Sequence, residues 1–99
     1  MILNTKQLIE ALSGKNKSFI SRVAKTQEEK YGNVDIFDCT IRNEDDIEIS
    51  FGDYYIRFFF RNGKIYDTIG NGQGGRYHEQ LQSCVEEIRD KYINGILGY

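Results

Sequence analysis

A chain of 99 residues, of which 39% are hydrophobic and 13% aromatic, is long enough for one compact domain and too apolar to be disordered. Its formal net charge of −2 argues against tight, generic binding to nucleic acid, which usually requires a strongly basic domain. No apolar run approaches the roughly 20 residues of a membrane span and the N-terminal stretch is too polar for a signal peptide, so we expect one cytoplasmic domain over residues 1–99.

Two helices are predicted at the start of the chain. Residues 5–13 carry an apolar stripe with helical spacing, after a capping side chain at Asn4 or Thr5. The polar run "SGKNKS" interrupts that spacing. A second helix is therefore predicted over residues 18–31, where Gly32 suits a C-terminal cap.

Two turn signals fix the pairing of three strands in the stretch "GDYYIRFFFRNGKIYDT". Asn62-Gly63 is typical of a type I′ hairpin, and Gly52-Asp53 suits a type II′ turn. Because a two-residue turn sets the register of the strands it joins, both hairpins can be written out residue by residue. The predicted pairs are Phe51–Tyr54, Ile49–Ile56, Glu48–Arg57, Ile47–Phe58, Arg61–Lys64, Phe60–Ile65, Phe58–Asp67 and Ile56–Ile69.

The two independent registers place apolar residues on one common face. A further strand over residues 34–41 adds Phe37, Cys39 and Ile41 to that face if residues 42–46 form a loop. One residue does not fit, because Asp67 then points toward the core. This face carries Ile47, Ile49, Phe51, Tyr54, Ile56, Phe58, Phe60, Ile65 and Ile69.

The last helix is predicted over residues 76–97. Its apolar stripe consists of Tyr77, Leu81, Cys84, Val85, Ile88, Tyr92 and Ile96, and its outer acidic side of Glu79, Glu86, Glu87 and Asp90. The predicted order is therefore α-α-β-β-β-β-α. We expect a two-layer α+β fold, a four-stranded antiparallel meander packed on helices on one face, with the other face toward solvent.

The uncovered sheet face is the main functional prediction. Phe59 lies there, flanked by Arg57, Arg61 and Tyr66, and such residues are typical anchors of protein interfaces. Base stacking on these aromatic side chains is one alternative. The other alternative is that a helix or a second copy of the chain covers Phe59, or that the side chains of this face shield each other. The predicted face carries Asp38, Thr40, Asp46, Glu48, Ser50, Tyr55, Arg57, Phe59, Arg61, Lys64, Tyr66 and Thr68.

The glycines of "IGNGQGGRYHE" match the pattern G-x-G-x-x-G through Gly70, Gly72 and Gly75. A dinucleotide site also needs a second parallel strand after the helix, and none is predicted here. No G-K-[ST] follows either. We therefore expect a flexible connection with positive φ angles, where Arg76 and His78 at the helix start offer weak contact to an anion.

No other pattern predicts catalysis, a metal or a cofactor. His78 is the one histidine, and no motif places a nucleophile or an acid beside it. The acidic run at residues 44–48 lacks the spacing of a calcium loop and is typical of a solvated turn. Cys39 and Cys84 lack C-x-x-C spacing, so we expect both to be reduced and at least half-buried.

The order helix–strands–helix, with "GNGQGG" before the final helix, resembles a double-stranded-RNA-binding domain in outline over roughly residues 18–94. The resemblance implies an RNA-binding module whose last helix meets phosphates at its start. Such domains carry a basic cluster there, whereas this chain has Arg76 alone, and Glu79 follows.

The stretch "FGDYYIRFFFRNGKIYD" is similar to the central hairpin of RelE/HigB-type ribonuclease toxins, which share an aromatic, arginine-containing strand pair. The resemblance spans residues 51–67 and implies candidate catalytic roles for Arg57, Arg61, Tyr77 and His78. Those toxins are strongly basic and continue with lysines, whereas this chain is acidic and continues with glycines.

The sequence thus predicts a non-enzymatic module without cofactors that binds a macromolecular partner, first of all a protein. Small acidic chains without catalytic motifs are typical of inhibitors, immunity proteins and accessory proteins of phages or mobile elements. An RNA-binding domain and a ribonuclease toxin are the alternatives, and the acidic side of the last helix is a second candidate surface. The candidate partner-binding residues are Tyr55, Arg57, Phe59, Arg61, Lys64, Tyr66, Arg76 and His78.

Overall fold

The computed structural model describes residues 1–32 and 35–98, and over those residues three helices pack on one antiparallel sheet of five strands. The predicted α+β class is confirmed, with one strand more than expected; Val34, the start of the predicted first strand, lies outside the described residues. In chain order the elements are β1 (Ile2–Asn4), α1 (Thr5–Ala11), α2 (Gly14–Tyr31), β2 (Phe37–Asn43), β3 (Asp46–Phe51), β4 (Tyr54–Arg61), β5 (Lys64–Ile69) and α3 (His78–Ile93).

The additional strand, β1, pairs with β2 and makes the sheet order β1-β2-β3-β4-β5. Thr5, the first residue of α1, holds this end of the chain against β2. Its buried hydroxyl accepts the Phe37 N–H at 2.8 Å and donates to the Phe37 carbonyl at 3.3 Å. A strand of three residues is too short to show a periodicity, so it was not predicted from the sequence.

The first two helices differ from prediction at their ends. Asn4 caps α1 as expected, through a reciprocal pair of hydrogen bonds with Gln7. The predicted start of α2 at Ser18 is wrong, because the helix begins at Gly14. Its first turn is polar and largely exposed, and apolar spacing reveals a helix only where the helix packs on something. Gly32 ends α2 as predicted, with φ +71°.

The last helix is shorter than the predicted residues 76–97. It begins at His78 and ends at Ile93, and Gly95 follows with φ +66°. Ile96 is therefore not part of the helical stripe and is 65% exposed. The buried part of the stripe consists of Leu81, Cys84, Val85 and Ile88.

The pairing of β3 with β4 agrees with the predicted register at every position. The predicted loop at residues 42–46 is shorter, because β2 continues to Asn43 and β3 begins at Asp46, with a bulge near Arg42. Phe37, Cys39 and Ile41 lie on the core face as predicted, and all three are buried.

The register of β5 is wrong beyond Ile65. Tyr66 is an extra residue in a β-bulge, so Asp67 lies opposite Phe59 instead of Phe58. Asp67 consequently turns to the open face, where its carboxylate accepts the Thr68 N–H at 2.9 Å. A buried carboxylate without a partner would be costly, and the bulge avoids it.

The same bulge exchanges the faces of the next two residues. Thr68 lies opposite Phe58 on the core face, although it was predicted on the open face. Ile69 lies opposite Arg57, not Ile56, and is 50% exposed. The open face therefore ends in an apolar residue that the sequence analysis had assigned to the core.

The core lies between the sheet and the helices. Phe58, Ile47, Ile49 and Ile88 are among its fully buried side chains, and burying each such side chain stabilises the fold by about 1.5–3 kcal/mol. Cys39 and Cys84 are buried in it as free thiols, as predicted. In the part of the chain that the structure describes, no helix has both the length and the apolar character needed to cross a membrane.

Candidate functional site

The predicted partner-binding residues separate into two places. One group projects from the open face of β4 and β5, and the other lies where the glycine loop, residues 70–77, enters α3 on the helix side of the sheet. The structure does not bring these groups into one site. The first group consists of Tyr55, Arg57, Phe59, Arg61, Lys64 and Tyr66, and the second of Arg76 and His78.

Carboxylates of the neighbouring strands already hold two arginines of the open face. Arg57 donates two hydrogen bonds to Asp46, at 2.8 and 2.6 Å, and Arg42 donates one to Glu48 at 3.1 Å. The Arg57 hydrogen bond is the main reason why the pKa of Asp46 lies below its ordinary value. These guanidinium groups are therefore partly neutralised before any partner arrives.

Phe59, the predicted apolar anchor, is only half-buried and has Arg57 over its ring at 5.0 Å. Its direct cross-strand neighbours are Asp46 and Asp67. Part of the ring is thus shielded by the chain's own side chains, which was one of the alternatives for this face.

The end of the β4–β5 hairpin is different, because its cations remain unpaired. Arg61 and Lys64 face each other across the strands as predicted, and neither takes part in an ion pair among the described residues. The Arg61 guanidinium lies 4.1 Å from the centre of the Tyr66 ring, and Tyr66 is 53% exposed. We call Arg61, Lys64 and Tyr66 the hairpin patch.

The glycine loop is held closely against β4. Gly72 donates its N–H to the Tyr55 carbonyl at 3.0 Å, and the Asn71 side chain bonds both the Tyr55 N–H at 2.8 Å and the Asp53 carbonyl at 2.9 Å. A Cβ at Gly70 would overlap the Tyr55 carbonyl oxygen. The first glycines are therefore needed for close packing, and the expected flexible connection is instead a loop fixed by hydrogen bonds.

A cleft of about 330 Å³ opens between this loop, the β3–β4 turn and the start of α3. Its walls come from separate parts of the chain, so no single stretch of the sequence predicts it, and Tyr77 beside the glycines is the one local signal. We call it the aromatic cleft. Its apolar walls include Phe51, Tyr54, Ile56, Tyr77 and Leu81, and Arg76 and His78 also line it.

His78 has a structural role in this loop. Its Nδ1 accepts the Gly74 N–H at 2.7 Å, and its ring stands edge-on to Phe58, with 5.9 Å between the ring centres. Phe58 lies on the covered face of the sheet, whereas Arg57 points to the open face. The sheet therefore separates His78 from Arg57, two of the four residues to which the toxin resemblance gave catalytic roles.

One of the four acidic residues predicted on the outer side of α3 does not face solvent. Glu87 is turned toward the start of α2, where Ser13 and Asn16 donate hydrogen bonds to its carboxylate at 2.7 and 2.9 Å, and Lys91 on α3 itself donates a third at 2.9 Å. Burial acts to raise the pKa of Glu87, but these bonds outweigh it and hold the pKa below its ordinary value. Glu79, Glu86 and Asp90 remain exposed.

Among residues 1–32 and 35–98, no group of three or more His, Cys, Asp or Glu side chains is arranged to hold a metal ion. Comparison of the chain with protein-family models, with curated proteins and with solved structures finds no match in any of the three.

Proposed function

We propose that this protein is a non-enzymatic binding module, and that an acidic surface of a protein partner docks on the hairpin patch. The observation that carries the proposal is the pair Arg61 and Lys64, which are exposed cross-strand neighbours without a carboxylate among the described ion pairs. Like charges placed directly opposite each other destabilise a sheet. Carboxylates of a partner would remove that repulsion.

The residue types of the patch support a protein as the partner. Arginine and tyrosine are enriched among the side chains that dominate binding energy, and here the Arg61 guanidinium already lies on the Tyr66 ring. Stacking of this kind holds both side chains in place, so less conformational entropy is lost when a partner binds.

The charges around the patch favour a protein over RNA. Arg57 and Arg42 could contact phosphates, but they are already hydrogen-bonded to Asp46 and Glu48. Asp67 adds a further exposed carboxylate near the patch. A phosphate backbone would be repelled by these groups, whereas a folded partner can place its own charges between them. A role as inhibitor, immunity-type protein or accessory protein of a phage or mobile element is consistent with such an interaction.

Affinity capture from the native host tests the proposal. Arg61→Glu should reduce capture of the partner at least 30-fold, the loss expected when a dominant interface residue is removed. Arg22→Glu is the matched control, since Arg22 is also an exposed arginine near an aromatic ring, 5.9 Å from Phe19, but lies on α2. Equal capture by the wild type and Arg61→Glu would contradict the proposal.

Two other outcomes would assign a different function. If the captured partner is RNA, and its affinity falls steeply with rising salt concentration, the protein is a nucleic-acid-binding module. If expression arrests growth and the purified protein cleaves RNA, the protein is a ribonuclease toxin.

A further inference from the structure

The aromatic cleft is a second place where a partner can be recognised. We infer that it accepts one aromatic side chain from an acidic segment of a protein partner, and that Arg76 pairs with a carboxylate next to that side chain. The inference rests on the proposed function, because it names chemistry that the partner would carry. It concerns a different part of the surface from the hairpin patch.

The walls of the cleft suit an aromatic ring. Phe51 and Tyr77 already form an edge-to-face pair, with ring centres 5.9 Å apart and planes at 81°. Phe19 makes a second such pair with Tyr77, at 5.4 Å and 63°. A further ring entering beside Tyr54, which is 59% exposed, can continue this edge-to-face arrangement.

The polar groups around the cleft leave one charge available. Both polar atoms of the Asn71 side chain are bonded to backbone, and Nδ1 of His78 is bonded to the Gly74 N–H. Arg76 is exposed, lies 5.3 Å from the Tyr77 ring centre and takes part in no ion pair of the described residues. An apolar cavity with one unpaired cation is complementary to an apolar group with one adjacent anion.

The size of the cleft admits an anchoring side chain, and its single charged group suits such a side chain better than a free metabolite. A cavity of about 150 Å³ already admits benzene, so about 330 Å³ holds one ring and the atoms that attach it to a backbone. Sites for small molecules generally enclose most of the ligand and orient it with several polar groups. This cleft offers a single cation, and the rest of a peptide can lie outside it.

The loop that forms the cleft is fixed before any partner binds. Gly72 is bonded to Tyr55, Gly75 donates to the Gly72 carbonyl at 3.0 Å, and His78 donates to the Gly75 carbonyl at 3.2 Å. A site that is already formed does not lose entropy through ordering of the loop. Tyr54 and Arg61 lie at opposite ends of β4, about 23 Å apart at 3.3 Å per residue, so the cleft and the patch can be tested separately.

Titration of the isolated, isotope-labelled protein with three small probes tests the inference by nuclear magnetic resonance. N-acetyl-phenylalanine carries both the ring and the carboxylate, its amide lacks the charge, and N-acetyl-alanine lacks the ring. The first should shift the amide signals of Gly72, Gly75 and Leu81 with millimolar affinity. The neutral amide should bind about three-fold more weakly, as expected for loss of one exposed ion pair, and N-acetyl-alanine should not bind.

Variants locate the two interactions. Arg76→Gln should lower the affinity for N-acetyl-phenylalanine to that for its amide, and should leave the amide unaffected. Tyr54→Ala should weaken both. Tyr54 is exposed, so the variant should keep the fold, which a circular dichroism spectrum checks. Arg61→Gln is the matched control, because it removes another arginine over a tyrosine ring and lies outside the cleft.

Three results would overturn the inference: no localised shift up to the solubility limit of N-acetyl-phenylalanine, equal affinity of the acid and the amide, or larger shifts with adenosine monophosphate at the same concentration. The last would assign the cleft to a nucleotide. None of these affects the capture experiment with Arg61→Glu, so failure of the cleft and failure of the proposed function are distinguishable.

Discussion

Replacement of Gly70 by alanine tests whether close backbone approach holds the glycine loop against β4. The added Cβ would overlap the Tyr55 carbonyl oxygen and lie 3.0 Å from the Tyr55 carbonyl carbon and 3.1 Å from the Ile56 Cα. These are backbone atoms of β4, which is paired with β3 at both residues, so they cannot move aside as a flexible side chain can. Gly70 also has φ +140°, which residues with a side chain rarely adopt.

The expected destabilisation follows from three contributions. Backbone strain costs about 1–3 kcal/mol, and the steric overlap costs about as much as overpacking in a core, again about 1–3 kcal/mol. The reduced freedom of the unfolded chain offsets about 0.4–1 kcal/mol. Gly70→Ala should therefore lower the free energy of unfolding by about 3 kcal/mol.

Gly74→Ala is the matched control in the same loop. Gly74 has φ +73°, and no atom lies within 4 Å of the position its Cβ would take. It should therefore cost only the strain of the left-handed conformation, about 1 kcal/mol. The difference between the two variants therefore reports the close approach to β4 together with the larger backbone strain at Gly70.

Urea unfolding followed by far-ultraviolet circular dichroism measures both variants. With a slope of about 1–3 kcal/mol per molar urea, a loss of about 3 kcal/mol lowers the midpoint by roughly 1–3 M. If Gly70→Ala unfolds at the same urea concentration as Gly74→Ala, the close approach contributes nothing and the reasoning is refuted.

Three further outcomes are expected. The Arg57 hydrogen bond keeps the folded-state pKa of Asp46 below its ordinary value. The ionised Asp46 therefore stabilises the fold by less than about 1 kcal/mol at any pH above that ordinary value. This stabilisation disappears as the pH falls through the folded-state pKa. The urea midpoint of Asp46→Asn should consequently change less between neutral and acidic pH than that of the wild type, and an equal change would count against this. Thr5→Val leaves the buried N–H of Phe37 without an acceptor and should cost about 1–3 kcal/mol, measured by thermal unfolding; an unchanged melting temperature would contradict it. Burial raises the pKa of both cysteine thiols to about 12, so a thiol reagent should label them only after unfolding, and equally fast labelling in native buffer would disprove this.

The sequence was most informative where a two-residue turn determines the pairing of the two strands that it joins. The turn at Gly52 and Asp53 has two residues, so every β3–β4 pair follows from it, and all of those pairs are confirmed. The Asn62-Gly63 turn predicted Arg61 opposite Lys64 equally well. Both central residues of that turn have positive φ, +54° and +77°, as a type I′ turn requires.

Local sequence patterns gave less information where an element is stabilised by contacts with residues far away along the chain. β1 is held by pairing with β2 and by the Thr5 hydroxyl, which meets a backbone 32 residues away along the chain. The bulge at Tyr66 was visible only as an inconsistency, namely a predicted Asp67 in the core. Because burial of that carboxylate is costly, a one-residue shift of the strand is the simplest arrangement that avoids it.

In the candidate site, too, the features set by local sequence were predicted, and the contacts between distant segments were not. The register placed Arg61, Lys64 and Tyr66 on the open face, because alternation along a strand is a local property. It could not show that Asp46 holds Arg57, since that depends on side-chain conformations across two strands. The aromatic cleft requires the loop, the β3–β4 turn and α3 to meet, and no single segment carries that information.

The bulge at Tyr66 also influences how copies of this protein behave at high concentration. β5 is an outermost strand, and an outer strand with regularly spaced N–H and C=O groups is a template on which further copies can add strands. The extra residue breaks that spacing, and the Asp67 carboxylate occupies the Thr68 N–H. Deletion of Tyr66 would keep Asp67 opposite Phe59 and Thr68 opposite Phe58, yet leave the outer strand regular. The irregular spacing of β5 thus makes it a poor template for strand addition by a second copy.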